Sequence, residues 1–229
     1  MANEMNSEVE ETIAEKPSLF GMIMNPKEQF ERIRENPKVI VALIIVTLIT
    51  TVGMLMMANG IDFVNDPSLA GMPEEELMIV AMMSQIGFVI IGVVTPVFGI
   101  LISAFIHWII SKIVHSEVSF KQLFSMNTYI FMISAISFIL NGIVFMLIGG
   151  EAEILFTSLN SIIGAKGILG AFLGSIEIFS IWALIITAIG LQVVAKFSKG
   201  LSWAVVIAFY IVGLVFQMIS AGLNTMLGV

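Results

Sequence analysis

Residues 39–58 read VIVALIIVTLITTVGMLMMA, and these twenty consecutive positions contain no charged side chain. At a helical rise of about 1.5 Å per residue, they cover the roughly 30 Å of a bilayer's hydrocarbon core. Lipid cannot satisfy an open backbone, and the apolar runs of this chain show no strict alternation. The stretch therefore predicts a transmembrane helix, and membrane barrels are disfavoured.

The composition of the whole chain extends this interpretation beyond the first span. Of 229 residues, 58% are hydrophobic and only 12% are charged, and the mean hydropathy is +1.04. Soluble domains carry roughly 25% charged residues and could not bury so much apolar surface. We therefore expect an all-α fold, a polytopic membrane helical bundle with about five transmembrane helices and a short N-terminal interfacial helix.

The apolar runs define a membrane domain over residues 38–222. Its five predicted spans are about 39–58, 84–112, 123–148, 168–195 and 201–222. The run 77–113 is too long for one upright helix and short for two, and Pro96 near its middle can kink a helix. Two crossings would place Lys112 and Lys121 on the same side as the acidic loop 59–76. One tilted span, preceded by an interfacial turn, keeps both lysines on the cytoplasmic side.

Two segments precede the first span. Residues 1–17 form an acidic stretch that we expect to be a disordered cytoplasmic tail, because a signal peptide would begin with basic residues. Residues 18–37 are predicted to contain an amphipathic interfacial helix, with Asn25 as N-cap and Pro26 in its first turn. A plain juxtamembrane linker helix is the alternative. The candidate contacts with the membrane interface or a partner are Lys27, Phe30, Arg32, Ile33 and Arg34.

The distribution of lysine and arginine predicts the orientation in the membrane. Nine of the ten basic residues fall before span one or in the loops after spans two and four, and only Lys166 falls in the other loops. Basic residues stay on the cytoplasmic side. We therefore expect a cytoplasmic N-terminus and an external C-terminus, and the basic loops can also attract anionic lipid headgroups.

Several kinds of chemistry are excluded by composition. The chain has no cysteine and only two histidines, His107 and His115, so thiolate sites and multi-histidine metal sites are ruled out. Phosphate-loop, zinc-protease and serine-hydrolase motifs are missing as well. The net charge of −7 argues against nucleic acid. No catalytic residue, cofactor or metal site is predicted.

Glu177 is the carboxylate that the spans place inside the membrane, where a charge is costly and marks a candidate functional site. Asn141, Gln217 and Gln85 fall at comparable depths on other predicted spans. One hypothesis is an outer polar pocket around Glu177 that binds a cation, a proton or a lipid headgroup. The alternative is a protonated glutamate that hydrogen-bonds Asn141 and only holds helices together.

Two further features have mainly structural interpretations. Gly170 and Gly174 form a G-x-x-x-G pattern that permits close helix packing within the bundle or in a dimer. His107 precedes Trp108 near the cytoplasmic end of span two, where Trp108 is an expected interfacial anchor. His107 is expected to pack in the bundle, although an imidazole can titrate near neutral pH.

Two stretches resemble the Yip (Ypt-interacting protein) domain family of five-span membrane proteins. Residues 25–33, NPKEQFERI, with Pro37 before span one, look like the family's entry motif. Residues 178–184, IFSIWAL, followed by 189–191, IGL, look like its signature in span four. The resemblance covers about residues 18–220, and this chain is similar to the short prokaryotic members.

The resemblance implies a five-helix domain without enzymatic activity in a prokaryotic cell membrane. Eukaryotic members contact prenylated GTPases through long N-termini, but the short acidic leader here and the missing D-L-Y-G-P-type motif speak against GTPase binding. We expect a membrane scaffold or adaptor whose partners are the lipid bilayer, other membrane proteins or a second copy. The alternative function is a small transporter or channel that uses the pocket around Glu177.

Overall fold

The computed structural model describes residues 15–61, 69–149 and 154–227, so most of the predicted acidic tail lies outside the described residues. Within these ranges the chain folds into helices without a β-strand. They are α1 (Leu19–Met24), α2 (Pro26–Glu35), α3 (Ile40–Asn59), α4 (Glu74–Ile113), α5 (Phe120–Ile148), α6 (Asn160–Ile163), α7 (Gly167–Ser175), α8 (Ile178–Val193) and α9 (Lys199–Leu227).

The helices form a membrane bundle. In the described part of the chain, α3, α4, α5 and α9 are long and apolar enough to cross a bilayer, and α8 is a shorter apolar helix. Large apolar side chains cover their outer surfaces; Ile40 is 74% exposed and Leu147 is 77% exposed. Lipid solvates such surfaces, as water could not. The predicted all-α membrane bundle is confirmed.

Helix α4 is continuous over 40 residues. At the helical rise it is about 60 Å long, about twice the thickness of a hydrocarbon core. The interfacial turn expected before residue 84 is absent, and that expectation is wrong. The helix begins instead after Pro73, and the glutamates at 74–76 place negative charge in its first turn, where the helix dipole favours it.

Close packing between α3 and α5 depends on glycine. A Cβ atom added to Gly53 would lie 2.6 Å from the carbonyl carbon of Phe138, and one added to Gly142 would lie 2.7 Å from the carbonyl oxygen of Gly53. Real Cβ atoms do not approach backbone atoms so closely. The two helices therefore touch through their backbones, as small residues permit in membrane bundles.

The predicted span 168–195 is not one helix. Helix α7 ends at Ser175, α8 starts at Ile178, and Glu177 between them has extended backbone angles. The loop before α6 pairs with this break: the Leu159 N–H donates to the Ile176 carbonyl at 2.9 Å, and the Ile178 N–H donates to the Thr157 carbonyl at 3.3 Å. A loop segment thus satisfies the backbone groups that the break leaves free.

Helices α1 and α2 pack on one end of the bundle. We call this end, with the loops 114–119 and 194–198, the basic end, and the opposite end the far end. Phe30 and Ile33 of α2 are fully buried, and the Phe30 ring lies against Gly190 of α8. The expectation that these two side chains contact the membrane or a partner is wrong, because the bundle itself covers the apolar face of α2.

Candidate functional site

The polar site at the far end is centred on the side chain of Glu177, which is 3% exposed. Glu177 is the N-cap of α8 and accepts hydrogen bonds from the N–H groups of Phe179 at 3.0 Å and Ser180 at 2.6 Å. A capping side chain satisfies backbone donors that the first helical turn leaves free. Its negative charge also lies at the positive end of the α8 dipole.

Three hydroxyl groups complete the hydrogen bonding of this carboxylate. The Oε2 atom accepts from the Ser180 Oγ at 2.7 Å, and the Oε1 atom accepts from the Thr157 Oγ1 at 2.7 Å and the Ser137 Oγ at 3.3 Å. Distances near 2.7 Å are typical of O–H···O hydrogen bonds. The site thus links α5, the loop before α6, and α8.

Asn141 belongs to the same network and reaches Glu177 through hydroxyl groups. Its Nδ2 atom donates to the Thr157 Oγ1 at 2.9 Å and the Ser137 Oγ at 3.2 Å, while its Oδ1 atom accepts from the Thr157 N–H at 3.3 Å. The Nδ2 atom also donates to the Ser137 carbonyl at 2.9 Å, so its two hydrogens serve mainly this carbonyl and the Thr157 Oγ1, whose own proton is then free to bond Glu177. Glu177 thus accepts five hydrogen bonds, from two backbone N–H groups and three hydroxyl groups.

A cavity of about 770 Å³ lies between α7 and α9, beside this network. Glu177 and Ser180 form part of its wall, opposite the residues of α9. Along α9 the lining residues recur every three or four positions, which places them on one helix face. These residues are Tyr210, Gly213, Leu214, Gln217, Ser220, Ala221, Asn224 and Thr225.

The structure separates the four predicted pocket residues. Glu177 and Asn141 share one hydrogen-bond network, and Gln217 lines the cavity beside it. Gln85 lies elsewhere: its Nε2 atom donates to the Oδ1 atom of Asn59 at 3.1 Å, between α4 and α3. The prediction that Gln85 belongs with Glu177 is wrong, because comparable depth in a bundle does not make two helices neighbours.

The two glycines of the G-x-x-x-G pattern have different surroundings. A Cβ atom on Gly170 would lie 2.3 Å from the carbonyl oxygen of Ala165, in the loop before α7. Gly174 lines the cavity, and nothing lies within 4 Å of an added Cβ atom there. The close helix packing expected for the pair is therefore absent at Gly174 and involves a loop at Gly170.

The basic residues of α2 remain accessible at the basic end. Lys27 is exposed, and Arg32 pairs with Glu28 at 2.5 Å and with Glu15. Arg34 is half-buried, and its carbonyl oxygen accepts from the Gln122 Nε2 at 2.6 Å. These three basic residues therefore remain candidate contacts, whereas the buried Phe30 and Ile33 do not.

His107 packs in the bundle as a buried side chain. Its Nδ1 atom lies 3.2 Å from the Nδ2 of Asn127, and its ring centroid lies 5.1 Å from that of Phe209. Across the three described ranges, no group of three or more His, Asp or Glu side chains could hold a metal ion.

Sequence reasoning missed Thr157 and Ser137, which connect Asn141 to Glu177. Thr157 lies in a loop without periodicity, and Ser137 is one of many serines in apolar helices. The only available signal was the cost of an unpaired carboxylate in lipid, which requires donors nearby but does not identify them.

Comparisons with known proteins agree with this architecture. The Yip1 domain profile matches residues 20–221. The chain is 32% identical to membrane protein YknW of Bacillus subtilis (strain 168) over 220 residues, which covers 95% of each chain. No solved structure matches. The match covers all the helices described above except the ends of α1 and α9, and the chain therefore belongs to the Yip1 domain family.

Proposed function

We propose that this protein is a non-enzymatic membrane adaptor that binds a transmembrane segment of a partner protein. The segment binds in the cavity between α7 and α9, which we call the groove. The adaptor acts in a bacterial cell membrane, with its N-terminus in the cytoplasm and the far end outside. The relative from Bacillus supports the bacterial membrane, and the basic residues at one end support the orientation.

The polar face of α9 carries this proposal. Gln217, Ser220 and Asn224 line the groove and are exposed, although they belong to a helix that is long and apolar enough to span a membrane. Acyl chains offer no hydrogen-bond partner to such side chains. A neighbouring helix does offer partners, and small and polar residues are the ones that mediate helix association in lipid.

The geometry gives less support to a transporter. The cavity of about 770 Å³ beside Glu177 is the observation in favour of transport. However, five donors already occupy the Glu177 carboxylate. Toward the basic end, fully buried Phe30, Met126 and Leu191 belong to one apolar core, and an apolar core disfavours the passage of an ion.

Photo-crosslinking from α9 tests the adaptor. A photoreactive amino acid at Gln217 or Ser220, on the groove face, should crosslink a discrete membrane protein in native membranes. The same amino acid at Val215 or Ile219, on the opposite face of α9, should give only lipid adducts. Equal crosslinking from both faces would contradict a groove-specific partner.

Filling the groove provides a second, independent test. Gly174→Leu inserts a side chain into the open groove and should abolish copurification of the crosslinked partner. The matched control is Gly99→Leu, since Gly99 also has open space around it but lies on α4. If the Gly174 variant retains the partner at the wild-type level, the groove is not the binding surface.

Flux measurements separate the two candidate functions. In proteoliposomes containing a pH-sensitive dye, the adaptor should give no proton or sodium flux above empty vesicles, with either wild-type protein or Glu177→Gln. A flux that wild-type protein supports and Glu177→Gln abolishes would establish the transporter and reject the adaptor.

A further inference from the structure

A second cavity, of about 650 Å³, lies at the basic end, where three segments of the chain meet. The end of α2 contributes one wall, and the segments 114–122 and 194–201 contribute the others. The polar lining residues of the cavity include Arg34, His115, Glu117, Gln122, Lys196 and Ser198. This cavity is separate from the groove between α7 and α9, and no residue lines both.

Hydrogen bonds hold the walls of this cavity together. The Ser116 Oγ donates to the Ala195 carbonyl at 2.6 Å, which ties the two loops to each other. The Gln122 Nε2 donates to the Arg34 carbonyl at 2.6 Å, which ties α2 to α5. These bonds fix the walls relative to one another, so a ligand would not have to order these segments.

The charged groups of the lining are available for a ligand. Within the described ranges, neither Arg34 nor Lys196 forms an ion pair. Glu117 is the single carboxylate of the lining, against these two cations. The polar hydrogens of Arg34, Lys196 and Ser198 can donate to an acceptor within the cavity.

Both loops contain a basic residue in a backbone conformation that favours glycine. His115 has φ of 58° and Lys196 has φ of 59°. After α4, the Ser116 N–H donates to the Ser111 carbonyl, and the His115 N–H donates to the Lys112 carbonyl. These two bonds form a Schellman motif, in which glycine is the usual residue at the position of His115. After α8, the Phe197 N–H donates to the Leu191 carbonyl and closes a wider turn that contains Lys196. Side chains in this conformation cost free energy, and such costs concentrate at functional sites.

We propose that the cavity at the basic end binds the phosphate group of an anionic ligand, with Arg34 and Lys196 as its principal contacts. A planar guanidinium can donate two parallel hydrogen bonds to phosphate oxygens, and an ammonium adds a compact charge. An anionic lipid headgroup or a free phosphate offers the same chemistry. This proposal is independent of the partner-binding groove.

Calorimetric titration of the full-length protein in detergent tests the site with three probes. They are dioctanoyl phosphatidylglycerol, dioctanoyl phosphatidylcholine as the zwitterionic comparison, and inorganic phosphate. The anionic lipid, the inorganic phosphate or both should bind saturably with one site per chain. Binding of the lipid alone identifies the headgroup as the source, and binding of inorganic phosphate alone identifies a soluble phosphate. No saturable binding of either, or equal binding of the zwitterionic lipid, overturns the proposal.

Charge substitutions test which residues make the site. Arg34→Gln with Lys196→Gln should weaken binding roughly tenfold or more, because hydrogen bonds to charged groups contribute that much each. Glu117→Gln should strengthen binding, because it removes the only opposing charge. Lys27→Gln with Lys121→Gln removes two exposed charges that do not line the cavity and should change the affinity less than twofold. Equal losses in the two double variants would overturn the site.

Glycine substitutions distinguish binding from a purely structural role. Lys196→Gly relieves the left-handed strain, so its unfolding temperature should rise or stay unchanged while phosphate affinity falls at least severalfold. A structural role for the lysine predicts the opposite, a variant of lower stability and unaltered affinity. That result would reject the proposal. The experiment requires only that the Lys196→Gly variant folds.

Discussion

At the residue scale, the far-end site is held together by hydrogen bonds that pass through the Thr157 hydroxyl group. The Thr157 hydroxyl donates to Glu177 and accepts from Asn141, so it links the two side chains. The two side chains are therefore joined through a hydroxyl group. This geometry differs from the alternative drawn from sequence, in which a protonated glutamate bonds Asn141 directly.

Thr157→Val is expected to lower the free energy of unfolding by about 1–2 kcal/mol, the range for a buried hydrogen bond in a membrane bundle. Valine has nearly the same shape but neither donates to Glu177 nor accepts from Asn141. Thr157→Ser keeps the hydroxyl and serves as the control, with a smaller loss. Unfolding in mixed micelles measures both, and equal losses for valine and serine would show that packing, rather than the hydroxyl, matters at this position.

At the element scale, the length of an apolar run predicts the spanning helices but not the break between α7 and α8. The stretches 39–58, 123–148 and 201–222 each overlap one helix, α3, α5 and α9, because a long apolar run has no other stable form in lipid. The break between α7 and α8 could not be predicted. Its residues are as apolar as their neighbours except for Glu177, and its backbone partners come from residues 157–159, which are distant in sequence.

Gly53→Ala and Gly142→Ala should each destabilise the bundle by about 1–3 kcal/mol, because the added methyl group has no room between α3 and α5. Gly99→Ala in α4 is the matched control, since nothing lies within 4 Å of its added Cβ atom. Removal of an unconstrained helical glycine should be neutral or stabilising by up to about 1 kcal/mol. Thermal unfolding followed by tryptophan fluorescence measures all three, and a loss at Gly99 equal to the others would contradict backbone contact as the cause.

At the scale of the whole molecule, one amphipathic helix shows where sequence reasoning stops. The spacing of Phe30 and Ile33 predicts a helix with an apolar face, and α2 is that helix. The same face could cover lipid or protein, since both are apolar. Only the positions of α5 and α8 decide between them, and those positions depend on contacts between residues far apart in sequence.

Cysteine accessibility provides a test of the orientation, because the natural chain contains no cysteine. With single substitutions in intact cells, an impermeant thiol reagent should label Lys166→Cys but not Lys27→Cys or Lys199→Cys. After the membrane is opened, the variants at 27 and 199 should be labelled as well. Labelling of position 27 in intact cells would reverse the proposed orientation.

The order of the Glu177 donors along the chain affects how this protein is made. Ser137 and Thr157 leave the ribosome before Glu177, and Phe179 and Ser180 follow it within three residues. When the acidic side chain reaches the translocation machinery, every group that will solvate it has been synthesised or is about to be. We therefore expect the α7–α8 segment to enter the bilayer with its carboxylate already hydrogen-bonded, before α9 has been inserted.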